Sequence, residues 1–497
     1  MKPVRGPAVV ARAVSVLALC VSAGCSSYSQ RLEEYRLRYG AGEFAAAEAA
    51  LDERIGDETG IANELLQEPR TLARADDVAD GDGHLLLLEK AMTRLGQGDP
   101  DGCIELLRRG RDELDARYAT SAVEALKMTL SDDTARDYAG ADYEHVLVRA
   151  MLALADLVSG GQDAFAYAVQ IGTKQEEILG SDFGAEQGYK PRERYRRIAL
   201  GAYLEGVIQE AEHQPSEAAR AYQRAKQYGG DSPLLDAAIQ RTVFGRYVRD
   251  GHGVVHVFYL GGRGPHLIEG VDAATDQASK LAGIVIALLR DRGSAFLQAP
   301  IKVPVVAVTD RALAPLAIGG DAIGNEFTAP LVDVNEIAIE QLEANMPWIQ
   351  ARALVRRGLK SFAAAIAEMK FDERQSNGLA FLTAAMLNFI ATATENADTR
   401  NWTALPASVQ AARLELPAGD RELVFDGTTR IRVRVAAGHD SYVLFLRTAP
   451  TSRGAVLIDK FSWPLGAASG PSGPAASAGE PEADQSVQQP SADDGVP

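Results

Sequence analysis

The sequence predicts an α+β protein in which an irregular α-helical solenoid is followed by a mixed α/β domain ending in antiparallel strands. Three observations lead there. From Tyr28 to about Arg241, apolar residues recur at three- and four-residue spacing with no strand-like alternation. After Arg241 the chain turns to β-branched and aromatic runs bounded by Gly and Pro, the pattern of strands. From Ala467 to Pro497 it holds Ala, Ser, Gly, Pro and five acids but no Lys, Arg or aromatic residue, too little apolar surface to offset the entropy of ordering. Residues 1–24, 25–241, 242–466 and 467–497 are therefore read as leader, helical domain, mixed domain and disordered acidic tail.

The leader begins with the positive charges Lys2, Arg5 and Arg12. The apolar stretch from Val10 to Cys25 is shorter than the roughly twenty residues a membrane span needs, so it reads as a cleaved export signal. Ser22-Ala23-Gly24-Cys25 resembles the lipobox of bacterial lipoproteins, although Ser22 stands where that motif prefers Leu. The resemblance implies a diacylglyceryl lipid on Cys25. The alternative is a cut after Ala23 that releases a soluble periplasmic or secreted chain. In the lipoproteins it resembles, Asp beside the cysteine retains the protein at the inner membrane. Ser26 and Ser27 give no such signal, so an outer-membrane lipoprotein facing the periplasm is expected. Cys103 is then the one remaining thiol, and no disulfide framework is expected.

Four helical hairpins follow, each with small residues or proline at its turn. They turn at Gly40 and Gly42, at Gly98-Asp99-Pro100, at Gly160-Gly161, and before Pro215. The last is the clearest, with Ala218, Tyr222 and Ala225 on one face. These pairs resemble tetratricopeptide (TPR) units, in which small residues sit where two helices cross and a large aromatic sits beside them. A regular array repeats at about 34 residues, whereas these copies start roughly 50 to 60 residues apart, hence an irregular solenoid. A nonrepetitive helical bundle would give the same periodicity.

In the mixed domain, strands are predicted in HGVVHVFYLGG, APIKVPVVAVTD and EFTAPLVDV. Between the first two, the nine apolar residues from Leu281 to Leu289 read as a buried helix too short to cross a membrane. Helices are predicted near Asn335–Met369, interrupted at Pro347, and near Asn377–Asn396. ARLELP, RELVF, TRIRVRVAAG, YVLFLRT and AVLIDKF close the folded region as a small sandwich or antiparallel sheet.

The chain carries a net charge of −17, and removing residues 1–24 with their three cations takes it to −20. Such a chain repels phosphate backbones and anionic headgroups, so nucleic acid is not an expected partner and the membrane is reached through the lipid alone. No Gly-x-Ser-x-Gly elbow and no His-Glu-x-x-His motif occurs. His252 and His256 are four apart and His266 follows a glycine loop, but with no third ligand confirmed they suggest a metal only weakly. That loop, Gly261 to Pro265, lacks the Lys and Ser/Thr of a phosphate-binding P-loop and reads as a β-turn. The acid pairs Glu33-Glu34 and Asp132-Asp133 read as solvated faces. Arg352, Arg356, Arg357 and Lys360 form a basic helical stripe able to meet an acidic partner surface.

Several stretches together resemble a family of bacterial TPR-like envelope lipoproteins of unassigned function, grouped with lipoproteins of the penicillin-binding-protein-activator type. They are YAGADYE at 138–144, ALVRR at 353–357 with Lys360, ADTRNW at 397–402 with LP at 405–406, and ARLELPAG at 412–419. The resemblance implies a role in the cell envelope and no defined reaction. Within it Asp398, Arg400 and Trp402 are expected at a domain interface, as an ion pair and an aromatic plug, or alternatively at a ligand site.

The expected function is a nonenzymatic scaffold whose concave helical surface receives a protein partner, with no cofactor apart from the lipid on Cys25. The alternative is a lipid-tethered periplasmic enzyme acting on cell-wall material, its site within residues 254–393. A solute-binding lipoprotein would need two similar lobes, which the long helical half argues against.

Overall fold

The structure, a computed structural model, describes residues 27–53, 83–118, 138–180, 194–273, 275, 278–279, 301–309, 314–371, 397–452 and 454–460, with side chains of the longest helix described to residue 354. Cys25, the helices expected at Leu281–Leu289 and Asn377–Asn396, and the acidic tail lie outside these residues.

The helices are α1 (Tyr28–Arg31), α2 (Glu33–Gly40), α3 (residues 44–53), α4 (Gly83–Gly96), α5 (Pro100–Arg117), α6 (Asp142–Ser159), α7 (Ala164–Gly180), α8 (Leu200–Ala211), α9 (Pro215–Gly229) and α10 (Pro233–Phe244). Their ends follow local chemistry. Asp99 caps α5, its Oδ1 accepting from Gly102 N at 2.9 Å, with Pro100 in the first turn where no N–H is needed. Gly160 closes α6 at φ 74°, a left-handed position that suits glycine. Asp156, one turn earlier, accepts from Asp163 N and Ala164 N at 2.8 Å each and so starts α7. From α4 to α10 each helix packs on the one before it in sequence. Glycines allow the close crossings. A Cβ on Gly206 of α8 would lie 2.5 Å from the Tyr222 ring of α9, and one on Gly96 the same distance from Phe44.

The strands are β1 (His252–Gly261), β2 (His266–Asp272), β3 (Ile301–Ala307), β4 (Ala317–Gly320), β5 (Ile323–Phe327), β6 (Ala329–Asp333), β7 (Ser408–Pro417), β8 (Gly419–Phe425), β9 (Thr429–Val435), β10 (Asp440–Arg447) and β11 (Ala455–Ile458), with helix α11 (Val334–Phe371) between β6 and β7. They build a five-stranded sheet in the order β11-β10-β1-β7-β6, a pair β2-β3, and a four-stranded sheet β5-β4-β8-β9. Together with the helices this is an α+β fold. Two expectations are corrected. The C-terminal strands do not close on themselves: β7 and β10 flank β1, and the β1–β10 pairing is parallel, Val254 opposite Asp440. The reason lies in β1, whose VVHVFYL run is buried on both faces and needs a neighbour on each edge. Helix α11 is also not interrupted at Pro347 but continues through it, because loss of one ladder bond does not end a helix held by the turns on either side. Strands β2 and β4 were not foreseen, since HLIEGVD is largely exposed and AIGG carries little side chain to read.

Alternation along β1 sets the layers. Phe258 and Leu260 point into the core shared with the helices, together with Val409, Ala411, Leu444 and Leu446. Val255, Val257 and Tyr259 point the other way, against Leu423, Phe425, Val433 and Val435 of the four-stranded sheet. The first core is continuous from Tyr28 to Leu457, so the change from helix to strand near Arg241 does not divide it. Among the described residues no helix is long and apolar enough to cross a membrane.

Candidate functional site

Residues 397–407 run between α11 and β7 with no regular structure, and their main-chain N–H groups are buried without a ladder to pair with. Buried donors need acceptors. Two glutamates of the helical array supply them. Glu89 of α4 accepts from Thr403 N at 2.7 Å and Thr403 Oγ1 at 2.9 Å through Oε1, and from Ala404 N at 2.8 Å through Oε2. Glu144 of α6 accepts from Trp402 N at 2.7 Å through Oε1, while its Oε2 takes Tyr138 OH at 2.6 Å and Ala141 N at 3.0 Å.

The side chains of the segment complete the grip. Trp402, 0% exposed, donates from Nε1 to Leu88 O at 3.1 Å. Tyr39 OH donates to Ala404 O at 3.0 Å, and Asn401 bridges to the far side, its Nδ2 donating to Pro265 O and its Oδ1 accepting from Leu267 N. Burial raises the Glu89 carboxyl to about 7 and raises Glu144 also, opposed in both by the N–H bonds they accept. A carboxylate clamp thus holds a turn of polypeptide by its main chain.

Asp398 and Arg400 pair at 2.8 Å, and the Arg400 guanidinium lies 5.6 Å from the Tyr138 ring centre. These two and Trp402 therefore share one segment against α6. Arg352 lies on α11, half-buried; Arg356, Arg357 and Lys360 follow on the same helix, their side chains outside the described set. Glu33 and Glu34 are exposed on α2, and Asp132-Asp133 lies outside the described residues. The three histidines do not converge. His252 contacts its own turn at Asp250 O, His256 pairs with Asp440, and His266 sits on β2 in a different sheet. Among the described residues no group of three or more His, Cys, Asp or Glu is placed to hold a metal ion.

A second polar cluster lies where the same sheet meets α8–α10. His256 stands opposite Arg413 on β7 and Tyr442 on β10, and its Nε2 is 3.1 Å from Asp440 Oδ2. Tyr247 OH donates to Asp440 Oδ1, and Arg413 Nη2 donates to Tyr247 O at 2.5 Å. Behind them Glu210 takes a two-pronged bond from Arg241, at 2.5 and 2.7 Å, and one from Tyr222 OH at 2.8 Å. Burial, then Glu210, pushes Asp440 up to about 8; burial, then Arg413 and Arg241, pushes His256 well below its ordinary range. Both shifts favour the uncharged forms of the two groups. Asp440 and Tyr442 also line a cleft of about 510 Å³ walled by Leu157, Phe165, Ile208 and the Gly160-Gly161 turn, with Glu212 and Asp459 in its lining.

Sequence reasoning passed over Glu89, Glu144 and Asp440. A signal for the first was present: Glu89 interrupts the apolar run LLLL-E-KAM on the face that must be buried, where an acid needs a partner. No family model, no curated protein and no solved structure matches the chain.

Proposed function

We propose that the protein is a nonenzymatic, outer-membrane lipoprotein of the cell envelope, anchored through Cys25, that serves envelope or peptidoglycan assembly as a TPR-like protein-interaction scaffold. The resemblance to TPR-like envelope lipoproteins belongs to the same reading. Its main support is the clamp: the helical array already seats an irregular stretch of polypeptide by main-chain N–H groups, a mode of recognition that does not depend on side chains. Because the chain's own residues 401–404 occupy that groove, the partner is read to dock elsewhere, in the 510 Å³ cleft at the opposite, C-terminal end of α6. Leu157, Phe165 and Ile208 offer an apolar wall, and Glu212 calls for a basic residue beside an apolar one.

A photo-crosslinking amino acid at Phe165 or Val169, both exposed on α7, tests this in growing cells. One envelope protein should be captured from both positions, and Glu212→Lys should abolish the capture. Capture of nothing at either position, with the protein folded and abundant, would sink the reading.

One observation favours a tethered enzyme instead, with its site reaching beyond residues 254–393: the cleft is lined by Asp440, an acid bonded to His256, a pairing suited to proton transfer. On that reading a His256→Asn protein would lose turnover of cell-wall fragments. Lack of turnover by the wild-type protein removes it.

A further inference from the structure

Helices α1 and α2, the turn after β1 and the start of β2 enclose a cleft of about 300 Å³. Arg36, Arg263 and His266 line it, along with Thr309, Glu33 and Thr403, whose hydroxyl already donates to Glu89. The guanidinium groups are held in place. Arg36 Nη1 donates to Ser29 Oγ at 3.0 Å, and the stem of Arg263 lies so close over Gly40 that a Cβ there would come within 2.8 Å of its Cδ. The basic groups feel one another: burial and then Arg36 and Arg263 bring His266 down to about 4, and Arg263 also lowers Arg36. In a chain of net charge −17, two fixed cations converging on one open cleft form a local field opposite to that of the whole molecule.

We propose that this cleft binds a phosphate-class anion, gripped by Arg36 and Arg263 and hydrogen-bonded by Thr309. Planar guanidinium forks match tetrahedral oxyanions two bonds at a time. Two sources share that chemistry, a phospholipid headgroup and a free phosphate. The headgroup source alone rests on the lipid-anchor reading. Ser29 lines the cleft four residues beyond Cys25, and four extended residues reach at most about 14 Å, which keeps the cleft at the membrane surface. Leu37 and Ile268, 62% and 42% exposed, also line it and present apolar surface to the same side.

The test begins with calorimetric titration of inorganic phosphate into the full chain in nonionic detergent. One-site binding is expected, weakened about tenfold by Arg36→Gln or Arg263→Gln, the loss of one charge-assisted bond. Arg430→Gln, on the remote β9, should change nothing. A readout independent of whether the variants fold is protection of Arg36 and Arg263, but not Arg430, from phenylglyoxal by phosphate in the wild-type protein. Flotation of the Cys25→Ser chain with phosphatidylglycerol but not phosphatidylcholine vesicles assigns the headgroup; phosphate binding without flotation assigns the free anion. The proposal is overturned if wild type binds neither phosphate nor phosphatidylglycerol, if both variants bind as tightly as wild type, or if phosphate protects neither arginine. Palmitate labelling that persists in Cys25→Ser would remove the anchor and leave the phosphate result standing.

Discussion

Glu144 Oε1 accepts the main-chain N–H of Trp402 at 2.7 Å across 258 positions of sequence. With Glu89 it ties the C-terminal segment to helices α4 and α6, and the Trp402 ring fills the space between them. The plug and the helical groove are therefore one structure, each incomplete without the other.

Removing the clamp is expected to be costly. Glu89→Ala leaves the N–H groups of Thr403 and Ala404 buried without their acceptor, a loss of about 3–5 kcal/mol, and Trp402→Ala should lose a similar amount through cavity and lost packing. Phe244→Ser, 89% exposed, should stay within about 0.5 kcal/mol. Urea unfolding midpoints check all three, and a Glu89→Ala midpoint equal to that of Phe244→Ser would refute the clamp.

Stability should fall as pH rises from 6.5 to 8. Asp440 is raised from 3.8 to about 8, so the folded chain keeps a proton that the unfolded chain has lost, and its contribution declines with rising pH. His256 is lowered below 6.5, so its contribution declines with falling pH below that value. Just below 6.5 the two work against each other; above 6.5 only the Asp440 loss remains of the pair, about 2 kcal/mol by pH 8. Glu89, raised to about 7, adds to the fall at the start of this window. Asp440→Asn should flatten most of it in urea titrations at pH 6.5 and 8, and an unchanged slope in that variant would contradict the assignment.

Gly206→Ala should destabilise the helical array by about 1–3 kcal/mol, because the added methyl drives into the Tyr222 ring. The gain of about 1 kcal/mol in helix propensity works against this. Gly172→Ala, in open space on α7, feels only the propensity gain. Opposite changes in thermal midpoint are expected for the two variants, and a stabilised Gly206→Ala would mean that the α8–α9 crossing is looser than described.

Cys103 is fully buried and its thiol is pushed well above the ordinary range by burial, then by Asp99. Iodoacetamide should leave it unmodified in the folded protein and alkylate it in denaturant, read by peptide mass. Rapid alkylation under native conditions would show that α4 and α5 open readily.

Much of the local structure was legible in the sequence. Gly98-Asp99-Pro100, Gly160-Gly161 and Pro215 mark turns by their own backbone chemistry, and each turn lies where those residues stand. β1, β7 and β10 were legible for the same reason, as runs whose composition needs no partner to be recognised. What each strand pairs with was not. VVHVFYL says that both faces are buried but carries no mark of whether Leu414 or Val443 lies alongside. Asp398, Arg400 and Trp402 stood out as unusual residues, whereas the glutamates that hold their segment sit some 250 to 310 positions away and look, one at a time, like ordinary helical acids.

The parallel pairing of β1 with β10 has a consequence for how the molecule is made. Synthesis proceeds from the N-terminus, so β1 exists well before either neighbour, and Thr448, which donates to Gly40 O, arrives 408 positions after its partner. Contacts this distant in sequence form slowly, and an unpaired apolar strand is an invitation to aggregate while it waits. A growing chain stopped short of residue 440 should accordingly remain open to protease along β1 until its final strands are released.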